Sequence, residues 1–138
     1  MKKNTHSIQI DKYGTKRYYV NNSLHREDGP AVEWFNGSKE WYKDGKHHRE
    51  DGPAIEYDNG SKEWWQNGQL HRLNGPAIER SNGDKGWLIN GQLHRKDGPA
   101  TEGHDGSKIW ALNNQRYGYD NDFTNESWNK FINTLIFS

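Results

Sequence analysis

The stretch Leu24-His25-Arg26-Glu27-Asp28-Gly29-Pro30-Ala31 constrains this chain most, because it returns three times. His25, His48, His71 and His94 stand 23 residues apart, each followed by Arg and then by Gly-Pro-Ala. A fixed period in the twenties marks a repeat architecture, in which each repeat buries its apolar surface on its neighbours. In all four repeats Glu33, Gly37, Lys39 and Trp41 also keep their identity, as do their equivalents. A length of 138 residues leaves room for one domain.

An apolar fraction of 30% and a mean hydropathy of −1.32 would suit a disordered chain. Zero net charge and the 7 Trp and 7 Tyr argue for folding, since nothing forces the chain open and each ring buries a large area. With Leu, Ile, Val and Phe scarce, a thin sheet with an aromatic stripe fits better than a thick two-layer core. The balance of 19 basic and 19 acidic side chains gives no field that would draw nucleic acid or anionic lipid. The absence of Cys excludes thiol catalysis, disulfides and zinc knuckles. Residues 1–6 have a basic start with no apolar run behind it, and no segment is long enough to span a bilayer. The expected setting is the cytoplasm, with no membrane partner.

Each repeat reads as a β-hairpin. In Pro53-Ala54-Ile55-Glu56-Tyr57 … Ser61-Lys62-Glu63-Trp64-Trp65, a two-residue loop would set Glu56 against Glu63, an unfavourable pair. A three-residue loop, Asp58-Asn59-Gly60, sets Glu56 against Lys62 and places Gly60 in the left-handed position. We take the three-residue loop. A period of two then separates two faces. One carries the repeated Ala, Glu, Lys and Trp. The other differs between repeats: Val32, Trp34 and Tyr42; Ile55, Tyr57 and Trp65; Ile78, Arg80 and Leu88; Thr101, Gly103 and Ala111. The His-Arg-x-Asp-Gly-Pro connector follows turns such as Asn67-Gly68, and Gly98 is expected to supply a free φ there.

The predicted organisation is a degenerate N-terminal repeat or cap over 1–23, four full repeats over 24–115, and a linker with a capping helix over 116–138. In the first segment Gly14, Lys16 and an aromatic at Tyr18 keep the pattern. Near the C-terminus, Thr124 is an expected N-cap, and Trp128, Phe131, Ile132, Leu135 and Ile136 form one helical stripe over 125–136. That helix would cover an open sheet edge. The fold class expected is an all-β repeat protein: an elongated single antiparallel sheet of stacked 23-residue hairpins with a C-terminal capping α-helix.

Trp41-Tyr42-Lys43-Asp44-Gly45-Lys46-His47-His48, followed by Tyr57-Asp58-Asn59-Gly60-Ser61-Lys62-Glu63-Trp64, resembles the MORN repeat. The likeness covers residues 11–118 at the same spacing. The glycines that follow the family's His are replaced here by Arg-x-Asp-Gly-Pro-Ala, as in a variant class found in viral and phage proteins. The resemblance implies a chain of hairpins in one long twisted sheet, roles in scaffolding and in protein or membrane contact, and no shared catalytic residue.

The repeated His invite a metal-site reading. Equivalent residues of successive hairpins lie roughly 10 Å apart, too far to share an ion. Within a repeat, His48 with Asp51 or Glu56 has no specific ligand spacing. An enzyme needs a unique perturbed group, and the Glu, His and Asp here recur four times; no catalytic residue, metal or cofactor is expected. His6, His47 and His104 occur once each. Protein binding through the variable face is the leading expectation, with Trp34, Tyr42, Tyr57, Trp65 and Arg80 as contact residues. A phage-encoded inhibitor docking on a host protein would use such a face, and self-association into a homo-oligomer stays open. The alternative is a sponge for a small anionic nucleotide-type ligand held by Arg26, Arg49, Arg72 and Arg95. Polynucleotide binding is disfavoured because neighbouring Asp and Glu cancel the Arg field.

Overall fold

The computed structural model describes residues 2–118 and 123–136. The chain is an all-β protein of antiparallel hairpins that ends in one helix. It divides into two compact bodies, Met1–Leu70 and His71–Ser138.

In the N-terminal body, β1 (His6–Ile10) pairs with β2 (Lys16–Val20), and β2 pairs in turn with Val32–Glu33. Lys39–Glu40, Ile55–Glu56 and Lys62–Glu63 follow in antiparallel order. The three-residue loop is present: Glu56 stands opposite Lys62, Tyr57 N–H donates to Ser61 O at 2.9 Å, and Gly60 has φ +89°. Glu33 faces Lys39 in the same way. The alternation continues between repeats, with Lys16 against Glu33 and Lys39 against Glu56. Every Glu on that face therefore lies between Lys neighbours, the favourable cross-strand arrangement.

The C-terminal body repeats this layout. Its sheet contains Ile78–Glu79, Lys85–Gly86, Thr101–Glu102 and Lys108–Leu112, with Glu79 opposite Lys85 and Glu102 opposite Lys108. The final strand, Gln115–Gly118, pairs with Lys108–Leu112.

Each repeat holds more structure than one hairpin. After the repeated Trp the chain forms a second, two-stranded hairpin: Tyr42–Lys43 with Lys46–His47, Trp65–Gln66 with Gln69–Leu70, and Leu88–Ile89 with Gln92–Leu93. In the sequence alone these residues look like a turn leading to a connector, because two-residue strands carry no readable periodicity. Asp44-Gly45, Asn67-Gly68 and Asn90-Gly91 all have positive φ at both positions, the geometry of a two-residue hairpin turn matched to strand twist. Asn113-Asn114 makes the same turn, with φ values of 48° and 66°.

The core is thin. Ala31, Ala54, Ala77 and Ala100 are fully buried, and among the described residues larger apolar burial is confined to Val32, Ile55, Leu88, Trp110 and Trp128. The helix, α1 (Asn125–Ile136), has the predicted bounds. Ser127 N–H donates to Thr124 Oγ1 at 3.2 Å, so Thr124 caps it. Trp128 is fully buried and donates from Nε1 to Lys96 O at 2.7 Å. Phe131 packs on Tyr117 of the final strand with ring centroids 4.6 Å apart. Phe123 leads into the helix and lies against Trp110, at 5.0 Å. A Cβ on Gly118 would run into the Phe123 ring, which explains that glycine. The apolar stripe is only partly used, because Leu135 is 48% exposed.

Trp128→Ala is expected to remove about 3–5 kcal/mol of stability, the usual cost of emptying a buried indole site. Chemical denaturation checks this, and Leu135→Ala should by comparison change stability by less than about 0.5 kcal/mol.

Candidate functional site

The repeated polar residues are occupied in holding the repeats together. Arg49 lies over the Trp41 ring with Cζ 3.8 Å from its centroid. Its Nε donates to Asp51 at 3.0 Å, and its Nη1 donates to Pro53 O at 3.0 Å and to Glu56 Oε1 at 3.2 Å. Arg95 repeats the set on Trp87, Asp97, Pro99 O and Glu102. Arg26 does so on Tyr18, Asp28, Pro30 O and Glu33. Arg72 bonds Pro76 O and Glu79. The preserved aromatic at Tyr18 thus completes the first clamp in place of Trp.

The glycine of the connector belongs to this clamp for a different reason from the one expected. Gly98 does not adopt positive φ. A Cβ there would sit 2.9 Å from Arg95 Cζ, and at Gly52 it would sit 2.9 Å from Arg49 Cζ. Close approach of the guanidinium, not backbone freedom, requires glycine.

The His column is equally occupied. His25, His48, His71 and His94 each accept through Nδ1 from the backbone N–H of the turn residue 19 positions on: Asp44, Asn67, Asn90 and Asn113, at 3.0–3.2 Å. An accepting Nδ1 places the ring proton on Nε2, and His25 Nε2 lies 2.8 Å from Glu27 Oε1. A third rung links the hairpin loops. Thr15 Oγ1 accepts from Phe35 N–H and Ser38 Oγ from Asp58 N–H, each joining one hairpin loop to the next. The signal was there: Thr15, Ser38, Ser61, Asp84 and Ser107 share the 23-residue register, all with short polar side chains. Asp84 serves the same rung by accepting from His104 N–H at 2.8 Å.

The variable face of the N-terminal body is different in kind. Val32, Glu40, Ile55 and Glu63 form one row across four strands. Val32, Ile55 and Glu63 are buried, while Trp34 and Tyr57 are 36% and 37% exposed. On the second hairpins, Tyr42 stacks on His47 at 4.2 Å, and His47 on Trp65 at 5.2 Å. Trp65 Nε1 donates to Glu63 at 2.9 Å, and Tyr42 Oη donates to Glu40 at 3.3 Å. Arg17 lies over Trp34 with Cζ 5.4 Å from the ring centroid.

Electrostatics fix the ionic states of this cluster. Burial alone would push the Glu40 carboxyl up. The electrostatic pull of His47, whose Nε2 lies 3.7 Å from Glu40 Oε1, and the hydrogen bond from Tyr42 outweigh it and hold Glu40 below its ordinary value. Burial, together with the Glu40 charge, pushes the Tyr42 phenol up to about 12.

Four of the five residues expected to contact a partner, Trp34, Tyr42, Tyr57 and Trp65, therefore share the N-terminal body, and two of them, Tyr42 and Trp65, lie within this carboxylate and ring network. Arg80 is exposed at a hairpin end of the C-terminal body. Sequence reasoning missed Glu40, His47 and Glu63. Glu40 and Glu63 were legible as charges at the apolar parity of the hairpin; His47 was legible as the one ring in a column otherwise filled by Leu24, Leu70 and Leu93. Among the described residues no group of three or more His, Asp or Glu is arranged to hold a metal, and no helix is long and apolar enough to cross a membrane. No family model matches the chain, and no curated protein matches its sequence.

Arg49→Ala should lower stability by about 1–3 kcal/mol, because it strands the Glu56 carboxylate and the Pro53 carbonyl in a half-buried site; a urea titration measures this. A second expectation concerns Asp84 and His104. Hydrogen bonds from the His104 backbone and ring, with Asn82, hold Asp84 at about 2; its hydrogen bond and then its charge raise His104 above 6.5. Asp84's contribution is present above about 3.9 and fades as pH falls toward 2. His104's is present below about 6.5 and fades as pH rises through its elevated value. The pair is thus fully formed between these limits. In an NMR titration the His104 midpoint should lie above 6.5 and return toward it in Asp84→Asn.

Proposed function

We propose that this is a non-enzymatic protein-binding module, built on a MORN-like repeat, that docks the ring-bearing face of its N-terminal body onto a partner protein. The observation that carries this reading is the anchored ring cluster. Tyr42 and Trp65 are tied to the half-buried and buried carboxylates of Glu40 and Glu63, and Trp34 and Tyr57 flank them with a third of their surface open. Trp and Tyr dominate interface energetics, and rings already held in place lose little entropy on binding. The cluster also differs from repeat to repeat, so stacking of the repeats does not dictate it.

The rival readings have less support. A phenol pushed up to about 12 makes Tyr42 a poor proton donor or acceptor at neutral pH. A small anionic ligand at Arg26, Arg49, Arg72 and Arg95 would have to displace carboxylates that already bond each guanidinium. The phage-type resemblance favours a host protein as the partner, with inhibition as the outcome of docking.

Affinity capture from host lysate followed by mass spectrometry identifies the partner. Trp34→Ala with Tyr57→Ala should then weaken its binding at least about 30-fold, as for two interface anchors, with an unchanged melting temperature. These two are chosen because truncating Trp65 would also strand the buried Glu63. A variant that keeps its fold and binds at full strength removes this face from the proposal.

A further inference from the structure

The outer edge of the N-terminal body carries an inference independent of the ring cluster. We propose that β1 is a homodimerisation strand, pairing antiparallel with β1 of a second copy.

The backbone register decides which groups face outward. Asn21 N–H donates to Thr5 O and Asp11 N–H to Thr15 O, one at each end of the β1–β2 pair. Bonded pairs in an antiparallel ladder recur at every second residue. Thr5, Ser7, Gln9 and Asp11 therefore point their backbone groups at β2. His6, Ile8 and Ile10 point theirs away. In later repeats this outward row is taken: the Ala31, Ala54 and Ala100 carbonyls accept from the N–H of Tyr18, Trp41 and Trp87 in the strand before. The 23-residue register puts Ile8 at that position in β1, which is the outermost strand among the described residues.

The side chains leave this edge unguarded. All five residues of β1 are exposed, and Ile8 and Ile10 are 62% and 60% exposed. The strand His-Ser-Ile-Gln-Ile has no Lys, Arg, Asp, Glu or Pro, the residues that natural edges use against pairing. By contrast, the final strand of the C-terminal body carries Arg116.

Two features select a second copy. The first is steric. Where β1 has Ile8, each repeat that receives a Trp-bearing or Tyr-bearing strand has a fully buried Ala. A branched side chain fills the space that such a ring uses, so this edge does not suit one more repeat. The second is self-complementarity. A two-fold axis through Ile8 sets Ile8 against Ile8 of the second copy and His6 against Ile10. All of these are outward-facing residues, which gives about six backbone hydrogen bonds. The same register gathers the isoleucines on one face and pairs Ser7 with Gln9 on the other. With no charged side chain in either strand, no like-charge pair opposes association. Two five-residue strands bury well under about 1,200 Å², the class of weak interfaces, so the dimer should form in the micromolar range or above.

Sedimentation velocity on the full chain from about 5 to 500 μM should show a concentration-dependent shift from monomer to dimer. Over the same range, amide exchange of His6, Ile8 and Ile10 should slow by about tenfold or more, while Ser7 and Gln9, already bonded to β2, stay unchanged. Ile8→Lys with Ile10→Lys should be monomeric throughout, with the chain folded by circular dichroism. A monomer at the highest concentration overturns the proposal. So does a dimer that survives the double lysine change, growth beyond a dimer, or protection of the odd-numbered amides instead of the even ones. Protection that appears only on adding the captured partner would assign the edge to that protein and likewise overturn self-pairing.

Discussion

The guanidinium clamp is the interaction on which this fold depends. Arg49 sits on the ring of Trp41 from one hairpin and holds Glu56 and the Pro53 carbonyl of the next. It therefore joins consecutive repeats. The planar fork and the weak hydration of arginine suit a site with a ring below and carboxylates at the edge. Glycine follows three residues later because any Cβ would strike the guanidinium, and the fully buried alanine lies just beyond. The recurring octapeptide is this clamp written along the chain.

Around it, polar rungs do work that larger proteins leave to a thick core. One joins hairpin loops through Thr15 and Ser38, and another joins second hairpins to the following turn through His Nδ1. Each satisfies a backbone N–H that would otherwise be stranded where strands change direction. A chain with only 30% apolar residues can fold this way because its buried apolar side chains are mainly small alanines, joined by Val32, Ile55, Leu88 and the indoles of Trp110 and Trp128, with hydrogen bonds fixing the spacing between them. At the C-terminal end the rungs run out. There a conventional apolar cluster of Trp110, Tyr117, Phe123, Trp128 and Phe131 takes over.

This division separates architecture from recognition. Positions 26, 33, 41 and their equivalents are fixed by the clamp. Positions 34, 40, 42 and 47 are not, and in the N-terminal body they assemble rings over carboxylates. In the C-terminal body the same positions hold Gly86 and Leu88, and the face lacks that cluster. Variation between repeats thus produces a local surface on a scaffold whose spacing does not change.

The sequence determined the repeat, its period, the three-residue loop and the helix bounds. These depend on local chemistry: Glu56 against Lys62 rather than Glu63, a glycine that takes positive φ, and Thr124 ahead of an apolar stripe at helical spacing. The second hairpins were partly legible, since Asn67-Gly68 is a strong turn signal, but two-residue strands carry too little periodicity to be read as strands. Tertiary structure alone decided what the repeated Arg, His and Gly do. Their partners lie up to 19 residues away, and no local pattern distinguishes a guanidinium over a ring from one in solvent. Only the fold likewise brought His47 between Tyr42 and Trp65 and left Ile8 and Ile10 on an open edge. Which strand stands outermost depends on how repeats pair in space, and not on the residues of that strand.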